Sequence, residues 1–400
     1  MISNLKPLSD VTVLDLSRVL AGPYCTMMLG DLGAEVIKVE RPGIGDETRQ
    51  WGPPDAGGEA AYYLCVNRNK RGLTVNLKVP EGQEIIRQLA KKSDVVIENY
   101  KVGTLQKMGL GYEDLEKNNP GLIYCSITGF GQNGPYKDKP GYDFMIQGMG
   151  GIMSFTGDPD GPPMKVGVAI VDITAGLFAC SSILAALRHR EKTKRGQYID
   201  ISLLDSMIAW LANVGSNYLI SDEIPIRYGN GHPNIVPYEP FNTKDGTYII
   251  LAVGNDKQWQ KFCAFAGMDA LASDPRFATN PQRVRNRKAL IPIIADIMLN
   301  RPGAEWLREL DSLQIPCGPI NTLDKVFSDP QVLARDMVAE VPHPTAKTVK
   351  MVPSPMKLYE TPCEITRHPP LLGEHTDEIL KETFGYNSKK IEELRQNGVI

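Results

Sequence analysis

The sequence predicts an α/β protein: a Rossmann-like large domain built on a parallel sheet, with a smaller α+β domain. Three observations predict it. Strand and helix patterns alternate through the N-terminal third, an almost uncharged helical run covers 166–187, and the composition turns to Gly, Pro and Asn over 220–240 before new strands and helices begin. Alternating strands and helices imply a parallel sheet, because parallel neighbours need long crossovers that lay helices on its faces.

The first forty residues read as strand (VTVLDL), loop (SRVLAGP), helix (YCTMMLGDLG) and strand (AEVIKVE), with glycines closing the helix. The pattern recurs as an amphipathic helix over 81–92 leading into SDVVIENY, and as a short helix over 115–118 leading through NPG into LIYCSI. Ligands of such sheets bind in the crevice beyond the strand C-termini. A glycine-rich stretch over 129–157 follows, then the apolar helix, then RGQYIDISLLDSMIAWLANVG as a strand running into a helix. Beyond 220–240 the second domain carries the strand DGTYIILAVG and helices near 257–266, 281–299 and 303–313. Pro-rich segments over 341–370 lead to a polar C-terminal helix over 388–396. The expected division is 1–205 with 330–400 as a discontinuous large domain, 206–224 as linker and 225–329 as small domain.

Composition excludes several classes. With 42% hydrophobic and 23% charged residues the 400-residue chain is neither disordered nor fibrous. Forty-four Lys and Arg against 47 Asp and Glu leave a formal net charge of -3, without the basic excess that nucleic-acid binding needs. Seven scattered cysteines, none in a C-x-x-C pair, argue against a disulfide framework and a zinc site, and fit a reducing cytoplasm. The N-terminus shows no signal-peptide pattern. The 166–187 run is long enough to span a bilayer, but Asp172 would cost about 3 kcal/mol at its centre, so a buried core helix is expected rather than a membrane span.

The usual motifs fail. The first turn reads S-R-V-L-A-G-P where a dinucleotide fold needs G-x-G-x-x-G, although Glu40 stands about where such folds hold a ribose. There is no Walker A sequence, H-E-x-x-H or G-x-S-x-G, and the five histidines, read as surface or loop residues, never come at metal-ligand spacing. What remains is Asp172, the sole charge between Lys165 and Arg188. One reading makes it the N-cap of the apolar helix. The other makes it a nucleophile in a water-poor site, forming acyl intermediates, with the helix dipole keeping it ionised. Both stay open, and they are compatible.

The assembled residues resemble CoA-transferase family III, the group containing formyl-CoA and carnitine CoA-transferases and the 2-methylacyl-CoA racemases. The resemblance rests on VLDLSRVLAGPYCTMMLGDLGAEVIKVERPGIGD, NRNKRGLTVNLK, VIENYKVGTLQKMGLGY, GFGQNGPYKDKPGYD, the Asp172 helix, TKRGQYIDISLLD, IPCGPINTL and PLLGEHTDEIL, in family order over nearly the whole chain. Racemases resemble G-H-D where this chain has Gly141-Tyr142-Asp143. The missing histidine implies a transferase, with Asp172 as the family nucleophile and a CoA thioester as substrate, without a prosthetic group.

The resemblance also assigns a CoA site: Val19 and Ala21 in the first loop, Arg41 after the second strand, then Lys78, Asn99, Tyr100, Lys107, Met108 and Tyr142. Arg41 and Lys107 suit phosphates and Met108 suits adenine. Each cation taken alone reads equally as a solvated surface charge. Asp143 is expected beside the nucleophile, orienting or repelling substrate by charge or bracing a turn, and Trp51 as a wall or an ordinary buried aromatic. Gly229, Asn230 and Gly231 fall where the family has a glycine-rich lid, whose flexible backbone would exclude water and whose N–H groups would stabilise the acyl oxygen, although a plain linker has the same composition. HPNIVPYEPFNTKDG, NPQRVRNRKALI and FSDPQVLARDMVAEVPHPT look most like the branch that moves CoA from succinyl-CoA to dicarboxylates such as glutarate. Oxalate with formyl-CoA and a carnitine-type exchange are the alternatives within the family, and a non-catalytic CoA-binding protein and a nicotinamide-dependent enzyme built on the same βαβ start are those outside it. Arg18 is the expected anchor for the acceptor carboxylate. An interlocked ring-like homodimer is implied.

Overall fold

The computed structural model describes residues 5–400. It contains two compact units, Met1–Gly150 with Val166–Trp210 and Pro330–Ile400, and Gly151–Lys165 with Leu211–Asp329. Residues 151–165, expected in the large domain, thus belong with the second unit, and the 206–224 stretch is helical rather than an open linker: it is crossed by the helices Leu203–Ala209 and Ala212–Ser221.

The first unit holds a six-stranded parallel sheet: β1 (Thr12–Asp15), β2 (Glu35–Glu40), β3 (Lys70–Thr74), β4 (Val95–Glu98), β5 (Ile123–Thr128) and β6 (Gln197–Ser202), in the order β3-β2-β1-β4-β5-β6. The order reverses direction between β1 and β4, which opens a crevice at their C-terminal ends. Helices α1 (Ala21–Asp31), α2 (Pro80–Lys92), α3 (Asp143–Met149), α4 (Ile170–Thr193) and α5 (Leu203–Ala209) accompany the sheet. Val13, Leu14, Val95 and Val96 are fully buried, as strands covered on both faces require. Proline at the first position of α2 presets its first turn, and Ile85, Ile86, Leu89 and Ala90 turn inward at helical spacing.

Three elements depart from expectation. Strand β3 reads KRGLT, too charged to be recognised, yet Lys70 is fully buried. Its ammonium meets Asp15 at 3.2 Å, the Pro23 carbonyl at 3.0 Å and Asn67 at 2.9 Å. The Pro-rich C-terminal region contains a hairpin, Ala339–His343 paired with Lys347–Met351, whose Val341, Val349 and Met351 pack on Tyr63 and Leu64. It also contains the helix Thr376–Phe384, whose Ile379 and Leu380 join Leu14, Ile37 and Leu73 in the main core.

The second unit folds around an antiparallel sheet of Tyr238–Asn242, Tyr248–Ala252 and Cys317–Pro319, with Trp259, Phe262, Phe277, Ile294 and Trp306 buried in its core. All seven cysteines are free thiols. His343 is buried at 4% exposure, unlike the surface position expected of the histidines. Among the described residues no three His, Cys, Asp or Glu side chains gather as a metal site.

Candidate active site

A cavity of about 510 Å³ opens at the switch point of the sheet. Arg18, Val19, Leu20 and Ala21 enter from the loop after β1, Asn99 to Val102 from the loop after β4, and Thr128 and Gly129 from the end of β5. Lys137 to Tyr142 and Asp172 close the remaining sides. Three glycines bring these walls together. A Cβ on Gly129 would lie 2.5 Å from the Gly141 Cα, so the two loops can touch only where neither residue has a side chain. A Cβ on Gly176 in α4 would lie 2.7 Å from the Ala21 carbonyl oxygen, so glycine there lets the first turn of α1 lie against the helix that carries Asp172.

The first loop is held from beneath by buried charge. Val19 adopts φ +70°, costly for a β-branched residue unless its surroundings enforce it. Its N–H donates to the Asp46 carboxylate at 3.2 Å. The same carboxylate pairs with Lys38 at 2.9 Å, both side chains fully buried, and Lys38 also donates to the Ser17 carbonyl at 3.2 Å. Lys38 and two Thr48 hydrogen bonds overcome the cost of burying Asp46 and hold it down at about 2. On the neighbouring residue, Arg18 donates its backbone N–H to Asn99 Oδ1 at 2.9 Å and accepts from Asn99 Nδ2 at 2.7 Å through its carbonyl. The loop is therefore fixed at three consecutive residues.

Asp172 occupies the first turn of α4 and faces the cavity, half-buried. It is not the N-cap: that position belongs to Ala169, and the helix amides are satisfied from elsewhere. Asp143, buried on α3, accepts the Val171 N–H at 2.8 Å and approaches the Asp172 N–H at 3.4 Å, while Gln147 donates to its other oxygen at 2.7 Å. The capping benefit thus goes to Asp143, and the Asp172 carboxyl is left free for chemistry. The expectation that the helix dipole keeps Asp172 ionised is reversed. Burial, then the nearby Asp143 charge, push its pKa up to about 7. Tyr62, like Val19, Ala169 and Ile173, packs against the cluster of Leu20, Met27 and Val66 and meets Trp51 edge-on at 5.0 Å, and burial followed by the Asp172 charge raises its phenol to about 12.

The structure brings Arg18, Val19, Ala21, Asn99, Tyr100, Tyr142 and Asp172 to one cavity, with Trp51 on its wall. Asp143 stands behind Asp172 rather than in the cavity, because its oxygens are spent on helix amides and Gln147. Arg41, Lys78 and Lys107 are exposed and Met108 packs on the main core, all away from the lining. Glu40, the candidate ribose ligand, is buried and committed to Arg49 at 2.7 Å and to the Asp46 N–H at 2.8 Å.

Gly229, Asn230 and Gly231 belong to the second unit. Gly229 donates its N–H to the Gly157 carbonyl at 3.1 Å and Gly231 to the Tyr228 carbonyl at 2.9 Å, so these two donors are engaged within the unit. Sequence reasoning missed Glu47, Lys101, Lys137 and Lys139 on the cavity wall, and Tyr62 beside Asp172. The KDK triplet and the adjacent lysine in NYK are the signals that pointed to them, and both read alone as solvated charge.

The profile of CoA-transferase family III matches residues 8–376. A human succinyl-CoA:glutarate CoA-transferase is 47% identical over 399 residues, covering 100% of this chain and 91% of that protein. A succinate–glutarate CoA-transferase from Agrobacterium fabrum is 49% identical over 382 residues, covering 94% and 95% of the two chains. The crystal structure of a CAIB/BAIF family protein from Brucella suis superposes with a TM-score of 0.83 at 46% identity, covering 94% of this chain and 99% of that one. A cavity at the switch point of a parallel sheet is the ligand site of a doubly wound α/β protein. The chain belongs to CoA-transferase family III.

Proposed function

We propose that the protein transfers CoA from succinyl-CoA to a dicarboxylic acid such as glutarate through covalent intermediates on Asp172. The observation that carries this reading is the Asp172 carboxylate, freed from capping by Asp143 and presented to a cavity at the sheet's switch point. The names of the human and Agrobacterium fabrum relatives support the substrates.

Asp172 attacks the succinyl-CoA carbonyl, forming a mixed anhydride and releasing the CoA thiolate. The thiolate attacks the aspartyl carbonyl of that anhydride, which frees succinate and leaves CoA on Asp172 as a thioester. The acceptor carboxylate displaces the thiolate to form a second anhydride. The thiolate then takes the acceptor's acyl group and regenerates Asp172. No water enters, so the site must exclude it to conserve the thioester's free energy. Tyr142, where racemases have histidine, offers no imidazole for proton abstraction, which favours transfer over racemisation.

Arg18 anchors the acceptor's distal carboxylate. Lys101, Lys137 and Lys139 supply further positive charge at the mouth, and Arg41, Lys78, Lys107 and Met108 lie along the path of the nucleotide end. The Gly229–Gly231 loop serves as lid. The free thiols support a reducing, cytoplasmic setting. Leu177, Phe178 and Leu184 leave an apolar stripe of α4 exposed in the single chain, which supports a homodimer that covers it and a core role for a helix otherwise long enough to cross a membrane.

The test is an assay of succinyl-CoA against glutarate, oxalate, carnitine and other acids, with product thioesters identified by mass spectrometry. Glutaryl-CoA formation with release of one succinate per turnover is expected. CoA binding without exchange into any acid would contradict the reading.

A further inference from the structure

The Arg18 guanidinium is already partnered. It stacks over the Tyr100 ring at 5.0 Å to the centroid, and its Nη1 is ion-paired with Glu47, with both side chains partly exposed at the cavity wall. Its Nε is buried without a hydrogen-bond partner. With the Nε side closed off, an incoming carboxylate meets Arg18 from its terminal nitrogens, where Glu47 sits. The backbone that carries Glu47 is held in place. Asp46, fixed by Lys38 and by the Glu40 carboxylate that accepts its N–H, accepts the Thr48 N–H at 3.0 Å and so caps the short turn Glu47–Gln50. The same carboxylate holds the Val19 N–H, next to Arg18 itself. One buried aspartate therefore sets both members of the exposed pair.

We infer that Glu47 tunes the affinity for the acceptor: it is an internal carboxylate that the acceptor's distal carboxylate must displace from Arg18. The inference rests on the reading of Arg18 as acceptor anchor. A dicarboxylate replaces the lost ion pair with its own and can reach more of the guanidinium in bidentate fashion. A monocarboxylic acid of the same length brings an apolar end to Arg18, leaves the Glu47 pair in place and gains nothing there, so its binding does not depend on Glu47. Glu47 thus raises the KM for the correct acceptor while it keeps the anchor charge-neutral when empty.

The full-length enzyme and its Glu47→Gln and Arg18→Gln variants should be compared with succinyl-CoA as donor, measuring the KM for glutarate and the Ki of pentanoate as its competitor. Glu47→Gln is expected to lower the glutarate KM about two- to fivefold, the range spanned by an exposed ion pair, with the pentanoate Ki unchanged and the gain shrinking as salt is raised. An unchanged or higher glutarate KM overturns the role of Glu47, as does an equal change for both acids. Arg18→Gln is expected to raise the glutarate KM and leave the pentanoate Ki in place. If it moves neither, the anchor reading itself fails, a result distinct from the failure of Glu47 alone.

Discussion

Asp172 has to be ionised to attack a carbonyl, yet burial and the Asp143 charge hold its pKa at about 7. A carboxylate with raised pKa is the more basic nucleophile, and the compensation is a rate that falls once the pH drops below that value. Activity limited by the first attack should therefore be flat above pH 7 and fall about tenfold per unit well below it, as a pH profile of kcat/KM for succinyl-CoA would show. Asp143→Asn keeps an oxygen for the Val171 N–H and removes the neighbouring charge. Its acid limb should move to lower pH, whereas an unmoved limb would mean that burial alone sets the pKa. The charge of Asp172 stood out in the sequence because nothing else in its helix is charged. The role of Asp143 was not legible there, since capping an amide 28 residues further along the chain is a tertiary contact with no local signal.

At the scale of elements, the alternation of β1, α1 and β2 was readable because those segments are apolar and period-matched. Strand β3 was not, because its buried Lys70 and Arg71 look like surface residues until Asp15, Glu35 and Glu382 are seen to meet them. Lys38 in β2 hides its function in the same way. Breaking the Lys38–Asp46 pair on one side should be expensive: Asp46→Asn leaves a fully buried ammonium without its counter-charge and should cost about 3–5 kcal/mol in denaturant unfolding. Replacing the pair as a unit, Lys38→Met with Asp46→Leu, should recover part of that loss, although the Val19 and Thr48 N–H groups then have no acceptor. The recovered protein should remain a poor enzyme, because Val19 at positive φ and the Glu47 turn lose their common support. Restored turnover in the double variant would contradict the link between this network and the loop.

For the whole molecule, the resemblance in the sequence outlined both domains, but two of its placements depended on surfaces that one chain does not reveal. Arg41, Lys78 and Lys107, which the resemblance assigned to CoA phosphates, are exposed outside the cavity lining. The apolar α4 run was understood as core, and half of it is. The exposed stripe of Leu177, Phe178 and Leu184, with Ile208 in α5 and Trp210 at its end, is the part a partner subunit would cover. Sedimentation at micromolar concentration should give a particle of twice 44.1 kDa. Phe178→Asp, which places a charge in that stripe, should shift the protein toward monomer or aggregate. A wild-type monomer would contradict the assembly.

The most direct test of the account is to trap the covalent intermediate. Incubation with succinyl-CoA followed by hydroxylamine, then peptide mass spectrometry, should find a hydroxamate on Asp172, because hydroxylamine attacks the aspartyl thioester and releases CoA. Without donor the residue should be unmodified. An unmodified Asp172 in enzyme that continues to exchange CoA would contradict its role as nucleophile.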